Sequence, residues 1–223
     1  MSCVSLFPKG VSVLDVGCGL GGTSSLLAQA GHPTHGIEPC APPLHLARQS
    51  FLEVKDLRFE EHHDVTAMSA HRSSSENSGK PCPYGGLLFM EVLQHLPRIA
   101  GLLGSCRAIT SAHAHIVISD AFLTHDLPWD AAPFHRPETL ATAAKNAGFT
   151  TISRRSMTAK VLPTLEVTAG QLRRRRAELV SFFRYAHPDI QGEIDELLTQ
   201  CEALTSALRN GDLIYDIVVL RKR

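Results

Sequence analysis

The chain has 223 residues, enough for one domain with a sizeable core, and its 22 basic residues balance 22 acidic ones. This balance gives no global electrostatic reason to expect nucleic acid or an anionic membrane as a partner. No apolar stretch approaches the roughly 20 residues that span a bilayer, and the N-terminal segment MSCVSLFPKG is too mixed for a secretory signal. Six cysteines without a C-x-x-C pair indicate reduced thiols, so we expect a cytoplasmic protein.

Short apolar runs alternate with helical periods up to about residue 158. The predicted strands cover residues 11–16, 34–38, 57–64, 84–93, 113–122 and 150–157, and the predicted helices cover 22–31, 42–54, 98–110 and 136–149. This alternation predicts an α/β fold, a doubly wound and mostly parallel sheet with helices on both faces. The polar segment 69–83 predicts a surface loop.

The alternation stops after residue 158. Two long helical stretches, 165–186 and 188–210, precede a final predicted strand that follows Gly211. We therefore expect a single domain over residues 1–223, in which a helical insertion over 159–211 precedes the last strand. Such an insertion is expected to act as a lid or substrate cap.

The segment VLDVGCGLGG ends a predicted strand on four glycines in six positions. Gly17, Gly19 and Gly22 fit the G-x-G-x-x-G pattern of dinucleotide-binding enzymes, whereas Gly17, Gly19 and Gly21 fit G-x-G-x-G. Both patterns allow a tight turn and a close approach of the backbone to a ligand. The glycines alone leave the ligand open.

Acidic residues at the strand ends separate the two interpretations. The carboxylate of Asp15 would repel the phosphates of a dinucleotide, whereas S-adenosylmethionine carries a sulfonium, an ammonium and no phosphate. Asp15 could face this ligand or only brace the loop. Glu38 follows Gly17 by roughly 20 residues, the spacing at which a carboxylate binds a ribose diol, and Asp64 could accept a hydrogen bond from the adenine. The three acids favour S-adenosylmethionine.

These motifs resemble those of the class I S-adenosylmethionine-dependent methyltransferases. VLDVGCGLGG is similar to their first motif, GIEP to the acidic end of their second strand, HHDVTAM to the acid after their third strand, and LLFMEVLQHLP to their fourth-strand motif. The closing segment DLIYDIVVLRKR resembles their seventh strand. The resemblance implies a seven-stranded sheet whose last strand runs antiparallel.

The resemblance also implies where the methyl donor binds. The methionine end would lie on Asp15 and the glycine loop, the ribose on Glu38, and the adenine on Asp64 and Val65. Many family members carry cap helices before the first strand, where this chain has about ten residues, so residues 163–209 or a partner chain in a homodimer would cover the donor. The residues expected to bind the donor are Asp15, Gly17, Cys18, Gly19, Gly21, Glu38, Pro39, Asp64, Val65 and Met90.

Glu91 and His95 follow the fourth strand and are the candidate catalytic residues. Their spacing of four would place both on one face of a helix. Methyl transfer mainly requires in-line positioning, and a general base is needed only where the acceptor must lose a proton. His95 would be that base or would only brace the turn that follows, and His135 is a second candidate. The histidine spacing indicates no metal site.

The leading hypothesis is an enzyme that transfers a methyl group from S-adenosylmethionine to an oxygen or nitrogen of a small organic acceptor. Carbon methylation stays open, as do an RNA- or protein-modifying methyltransferase, a nicotinamide-dependent oxidoreductase and a non-catalytic donor-binding subunit. The run Arg173–Arg176 would point in almost every direction on a helix and has acids nearby, which favours a solvated face over a nucleic-acid site.

Overall fold

The computed structural model describes residues 3–62, 65–66, 68, 84–96, 98–125, 127, 134–183, 187 and 189–223. The predicted loop 69–83 and Asp64 lie outside the described residues. Within the described part of the chain, no helix combines the length and the apolar character needed to cross a bilayer.

Seven strands form one sheet in the order β3-β2-β1-β4-β5-β7-β6. Six strands run in one direction, and β7 lies antiparallel between β5 and β6. This arrangement confirms the predicted seven-stranded, mostly parallel sheet and its antiparallel last strand. The strands are β1 (Val13–Val16), β2 (Thr34–Glu38), β3 (Leu57–Glu61), β4 (Tyr84–Met90), β5 (Thr110–Leu123), β6 (Phe149–Ser156) and β7 (Leu213–Lys222).

Helices cover both faces of the sheet. The helices α3 and α4 pack against one face through residues such as Leu103 and Leu140, and α1 covers the other face through Leu27. Every residue of β1 and β2 is buried, including the polar side chains of Asp15, His35 and Glu38, as is typical of central strands covered on both faces. The helices are α1 (Gly22–Gln29), α2 (Ala41–Ser50), α3 (Ile99–Ile109), α4 (Pro137–Asn146), α5 (Thr158–Phe183) and α6 (Ile190–Asn210).

The strand order reverses at β1. The strands β2 and β3 add on one side of β1, whereas β4 and β5 add on the other side. In open α/β sheets the loops on either side of such a reversal leave a crevice at the carboxyl ends of the strands, where ligands bind. The loops that border this crevice begin with Gly17 after β1 and with Glu91 after β4.

The structure moves the boundaries of several predicted elements, among them α5, β5 and β4. The helix α5 begins at Thr158 instead of residue 165 and continues through Pro163, because Val161 and Leu165 pack into an apolar cluster that outweighs the helix-breaking tendency of proline. The strand β5 is longer than predicted and pairs with β7 over its full second half. The strand β4 ends at Met90 because the next residue, Glu91, has a φ of 58°.

The helices α5 and α6 form the predicted insertion between β6 and β7. Arg176 donates two hydrogen bonds of 2.6 Å to Asp195, and further ion pairs join Arg173 to Glu202 and Arg209 to Glu166. Three arginines of the run on α5, Arg173, Arg175 and Arg176, therefore pair with carboxylates. These pairs are largely exposed, so each contributes little to stability, and the apolar base of the insertion holds it on the sheet.

A buried ion pair at the sheet edge provides a test of the fold. Asp216 on β7 is 2% exposed and accepts a hydrogen bond of 2.5 Å from Nε of Arg154 on β6. Replacing Arg154 with alanine leaves this carboxylate buried without its counter-ion. Because the Arg154 side chain is partly exposed, we expect the free energy of unfolding to fall by about 2 kcal/mol, less than for a fully buried pair.

Urea denaturation at pH 7 measures this change. The double variant Arg154→Ala/Asp216→Asn is the matched control, and it should recover part of the lost stability because it removes the unpaired charge. Equal urea midpoints for the wild type and Arg154→Ala would show that the ion pair contributes nothing.

Candidate functional site

The glycine loop after β1 contains three residues in the left-handed region. Gly17, Gly19 and Gly21 have φ values of 68°, 53° and 79°. A Cβ atom on Gly17 would lie 2.6 Å from a methyl group of Val92, and one on Gly21 would lie 2.6 Å from the ring of Phe59. A Cβ atom on Gly19 would meet no atom within 4 Å. Two glycines therefore permit packing, and the third leaves open space at the sheet edge.

Four backbone donors of this loop already form hydrogen bonds inside the protein. A phosphate bound here would find four N–H groups occupied and the carboxyl groups of Asp15 and Glu38 nearby, which disfavours a dinucleotide. A ligand without phosphate, such as S-adenosylmethionine, fits the loop. The N–H groups of Gly17 and Cys18 donate to the carbonyl of Ile37. The N–H group of Gly19 donates to Glu38, and that of Gly21 donates to the carbonyl of Cys18.

Asp15 lies beneath the loop. It is 2% exposed, and its Oδ2 accepts a hydrogen bond of 2.5 Å from the hydroxyl of Ser24 in the first turn of α1. Burial raises the pKa of Asp15 to about 6, and the Ser24 hydrogen bond opposes this change. Of the two predicted roles, the contact with Ser24 corresponds to a brace between β1 and α1.

Glu38 connects the ends of β1 and β2. Its Oε2 accepts the N–H of Gly19 and its Oε1 accepts the N–H of Cys40, both at 3.0 Å. Each carboxylate oxygen has a second lone pair, so these contacts still allow Glu38 to accept hydrogen bonds from a ribose diol.

A cleft of about 460 Å³ opens beside the glycine loop, at the carboxyl edge of the sheet. We call it the loop cleft, and its volume lies within the range of typical small-molecule sites. It brings together six residues that the sequence predicts, from the ends of three different strands. The loop cleft is lined by Val16, Gly17, Ile37, Glu38, Pro39, Cys40, His62, Met90, Glu91, Val92, His95 and Leu96.

Among the expected donor-binding residues, Val65 and Cys18 pack into apolar clusters, and the surroundings of Asp64 are not described. Val65 is fully buried in the core, and Asp64 lies outside the described residues. Cys18 packs against the cluster around Phe59, and burial, followed by the charges of Asp15 and Glu38, raises the pKa of its thiol to about 12. The structure adds Ile37, Cys40, His62, Val92 and Leu96 to the cleft, and their only sequence signal is their place beside predicted strand ends.

Glu91 and His95 both line the loop cleft, although no helix joins them. Residues Leu93–His95 form a single 3₁₀ turn, and His95 is exposed. Glu91 holds an uncommon left-handed conformation with a φ of 58°, and its N–H donates to the carbonyl of Ser119 at 2.8 Å. The segment after β4 is therefore tied to β5.

A second cavity of about 90 Å³ lies between the sheet and the α5–α6 insertion. We call it the apolar cavity, since most of its walls are aliphatic or aromatic. Its polar end consists of Glu91, Gln94, Asp120 and Tyr215, and Glu91 also lines the loop cleft. The remaining lining residues are Ala121, Phe134, Val161, Leu165, Leu204, Leu208 and Leu213.

Asp120 and Tyr215 are functional candidates that the sequence interpretation missed. The carboxylate of Asp120 is 1% exposed and accepts the N–H groups of Leu93 and Ala121 at 2.8 Å, while burial raises its pKa. The hydroxyl of Tyr215 donates to Oε1 of Glu91 at 3.0 Å, and these residues are 124 positions apart in the chain. No local motif could connect residues so distant in sequence.

His135, the second candidate base, lies behind the loop cleft. Its Nε2 is 3.0 Å from the carbonyl oxygen of Leu96, which itself lines the cleft. With a proton on Nε2, His135 donates to this carbonyl and supports the segment that follows β4.

A further cavity of about 340 Å³ lies at the opposite edge of the sheet. There the hydroxyl of Tyr84 lies 2.6 Å from Nδ1 of the buried His35, and Arg58 also contacts this nitrogen. Burial, and then the charge of Arg58, lower the pKa of His35 to about 4, so this imidazole is neutral at physiological pH. This group is separated from the glycine loop by the length of the strands.

Comparisons with known proteins agree with this architecture. Residues 3–154 match the family model described as a methyltransferase domain. The chain is similar to the ubiquinone biosynthesis O-methyltransferase of Azoarcus sp. (strain BH72), with 27% identity over 167 residues that cover 67% of this chain and 68% of the relative. The protein of the same name from Haemophilus ducreyi is 31% identical over 121 residues, 49% of this chain and 45% of the relative, so the chain spans less than half the length of that relative.

Solved structures share the fold. Phosphoethanolamine N-methyltransferase 2 of Haemonchus contortus, in complex with S-adenosyl-L-methionine, superposes with a TM-score of 0.75. The alignment covers 97% of this chain and 49% of that chain at 16% identity. At this identity the likeness concerns the fold, including the sheet edge on which the loop cleft lies.

The buried carboxyl group of Asp15 predicts a pH effect on stability. With a pKa of about 6, against an ordinary value of 3.8, the folded chain keeps a proton that the unfolded chain releases between about pH 4 and 6. Asp15 therefore lowers the free energy of unfolding as pH rises through this window, by about 3 kcal/mol in total. We expect Asp15→Asn to abolish this contribution, because an amide does not titrate. The amide oxygen still accepts the Ser24 hydrogen bond, so the contact between β1 and α1 is kept.

Urea denaturation of the ligand-free chain from pH 4 to 7.5 measures the effect as a difference between wild type and variant. The difference is needed because His35, with its lowered pKa, makes stability rise with pH over much of the same range. Glu61→Gln, at an exposed position on β3, is the control and should follow the wild type. A constant difference between wild type and Asp15→Asn at every pH would contradict a raised pKa.

Proposed function

The chain belongs to the methyltransferase domain family, and from this premise we propose that this S-adenosylmethionine-dependent enzyme methylates a hydroxyl group on a small acceptor with an apolar body. The observation that carries the proposal is the position of Glu91, which lines both the loop cleft and the apolar cavity. An acceptor in the cavity can thus present one polar group to the cleft.

When bound, S-adenosylmethionine supplies a methyl group that its sulfonium makes electrophilic. Glu38 is the proposed partner of the ribose hydroxyls, with Pro39, Cys40 and His62 forming the neighbouring wall of the loop cleft. Two features support a ligand without phosphate. The space at Gly19 is open, and four N–H groups of the loop already donate to acceptors inside the protein. Asp15 would act from below by fixing the loop to α1.

The walls of the apolar cavity support a compact acceptor. Val161 and Leu165 on α5, together with Leu204 and Leu208 on α6, face the cavity, so the insertion over residues 159–211 would act as the substrate cap. The polar end carries the carboxyl groups of Glu91 and Asp120, which suit a hydrogen-bond donor such as a hydroxyl group. The two O-methyltransferase relatives support oxygen as the atom that is methylated.

His95 and Glu91 would have different roles towards the acceptor, the first as general base and the second as the group that orients the hydroxyl. A hydroxyl loses its proton as its oxygen gains the methyl group, and His95 is the proposed acceptor of that proton. Because His95 is exposed at the cleft, it can pass the proton to solvent. Glu91 would accept the hydrogen bond of the hydroxyl and orient its oxygen towards the methyl group.

The proposal is tested by measuring S-adenosylhomocysteine formation with small phenols, apolar alcohols and amines of matched size. Turnover with a hydroxyl compound supports it. Turnover with amines alone would contradict oxygen as the target. Binding of S-adenosylhomocysteine by calorimetry without turnover of any acceptor would favour the non-catalytic donor-binding subunit.

Filling the apolar cavity with a larger side chain should weaken binding of the acceptor and leave binding of the donor unchanged. We expect Leu204→Trp to raise the KM of the acceptor by about tenfold or more, because the larger ring occupies the cavity, while the Kd of the donor stays within about twofold. Leu197→Trp is the matched control, since Leu197 lies two turns earlier on α6 and is exposed. Equal loss of donor and acceptor binding in Leu204→Trp would instead indicate general destabilisation.

Removal of the imidazole tests the role of His95. We expect His95→Ala to lower kcat by about a hundredfold, the contribution of a typical general base, with donor affinity unchanged. His45→Ala, at an exposed position on α2, should retain full activity. A kcat of His95→Ala equal to that of the wild type would assign His95 to the bracing role.

A further inference from the structure

Tyr215 links the last strand to the junction of the two cavities. Its hydroxyl lies 3.0 Å from Oε1 of Glu91 and 3.3 Å from the carbonyl oxygen of Ser119, and it accepts a hydrogen bond of 3.2 Å from the hydroxyl of Ser119. The shorter distance and the charge of the carboxylate make Glu91 the acceptor of the single hydroxyl proton. These bonds form a directed series from Ser119 through Tyr215 to Glu91. Ser119 lies on β5, Tyr215 on β7 and Glu91 after β4, so three elements meet at one carboxylate.

Glu91 needs such a contact to point in one direction. It is an exposed residue in a left-handed conformation, and its main chain is held by the carbonyl of Ser119. A glutamate side chain has three rotatable bonds, so the main chain alone does not orient its carboxylate. The hydrogen bond to Oε1 restricts the side chain and leaves Oε2 to accept a hydrogen bond from the acceptor.

Tyr215 is itself rigidly held. It is 8% exposed, pairs with Ala121 of β5, and its N–H donates to the hydroxyl of Thr158 at the start of α5 at 2.9 Å. Burial also raises the pKa of its hydroxyl above the ordinary value, so the group keeps its proton and remains a donor at neutral pH. A fixed donor beside a mobile carboxylate is an arrangement that pre-organises a binding site.

We infer that Tyr215 is a positioning residue that aims the carboxylate of Glu91 at the hydroxyl of the acceptor. The inference rests on the proposed function, since it requires Glu91 to contact the acceptor. Tyr215 forms no bond to either substrate in this role, and its effect passes through Glu91.

The variant Tyr215→Phe tests the inference because it removes one oxygen atom and keeps the ring in the cavity wall. Hydrogen bonds to charged groups are strong enough that we expect kcat to fall by about tenfold. The KM of the acceptor and the Kd of the donor should stay within about twofold, since the shape of both cavities is kept. A purely structural role would instead lower the melting temperature and change all three constants together.

Tyr84→Phe is the matched control. Tyr84 is also buried, lies on a strand and bonds a neighbouring side chain through its hydroxyl, but it does so with His35 at the opposite edge of the sheet. We expect its kcat to equal that of the wild type. A similar fall in kcat for both tyrosine variants would overturn the inference, because the loss would then not depend on Glu91.

A double-mutant cycle with Glu91→Gln identifies the route of the effect. If Tyr215 acts through the carboxylate, Tyr215→Phe should change kcat by less than about twofold in the Glu91→Gln background. A tenfold loss in both backgrounds, or no loss in the wild-type background, overturns the inference. A wild type that methylates no acceptor removes the proposed function and the inference together, whereas an active wild type with an equally active Tyr215→Phe removes the inference alone.

Discussion

The carboxylate of Glu38 joins two loops at the carboxyl edge of the sheet. By accepting the N–H groups of Gly19 and Cys40, it ties the glycine loop after β1 to the turn after β2. The loop cleft depends on this contact, because its walls come from the ends of both strands. The contact also uses a backbone donor that a phosphate would require, so the interaction that shapes the cleft also restricts the class of ligand.

The proposed acceptor site follows from a different constraint, the antiparallel insertion of β7 between β5 and β6. This placement brings Tyr215 next to Ser119 and, through the hydroxyl of Tyr215, to Glu91. It also returns the chain from α6 to the sheet, so that Leu204 and Leu213 enclose the apolar cavity. The helical insertion and the last strand thus contribute to one proposed site, although no sequence motif predicts their contact.

The glycine loop and the acids beside it could be predicted because their residues are neighbours in sequence. A strand that ends on glycines, with an acid at the end of the next strand, determines local backbone geometry and charge over short segments. The predicted sheet and the methyltransferase family were confirmed on this basis. The predicted start of α5 was wrong, because the packing of Val161 and Leu165 extends the helix through Pro163 despite the helix-breaking tendency of proline.

The sequence by itself determined the α/β alternation, the glycine loop and the acids Asp15 and Glu38 beside it, since periodicity and spacing act over a few residues. Only the tertiary structure decided that Asp15 is buried and bonded to Ser24, and that Glu91 has a left-handed conformation. It also decided that Tyr215 donates a hydrogen bond to Glu91, 124 positions away in the chain. The physical reason is that burial and long-range hydrogen bonds depend on the order in which strands pair, which local preferences do not encode.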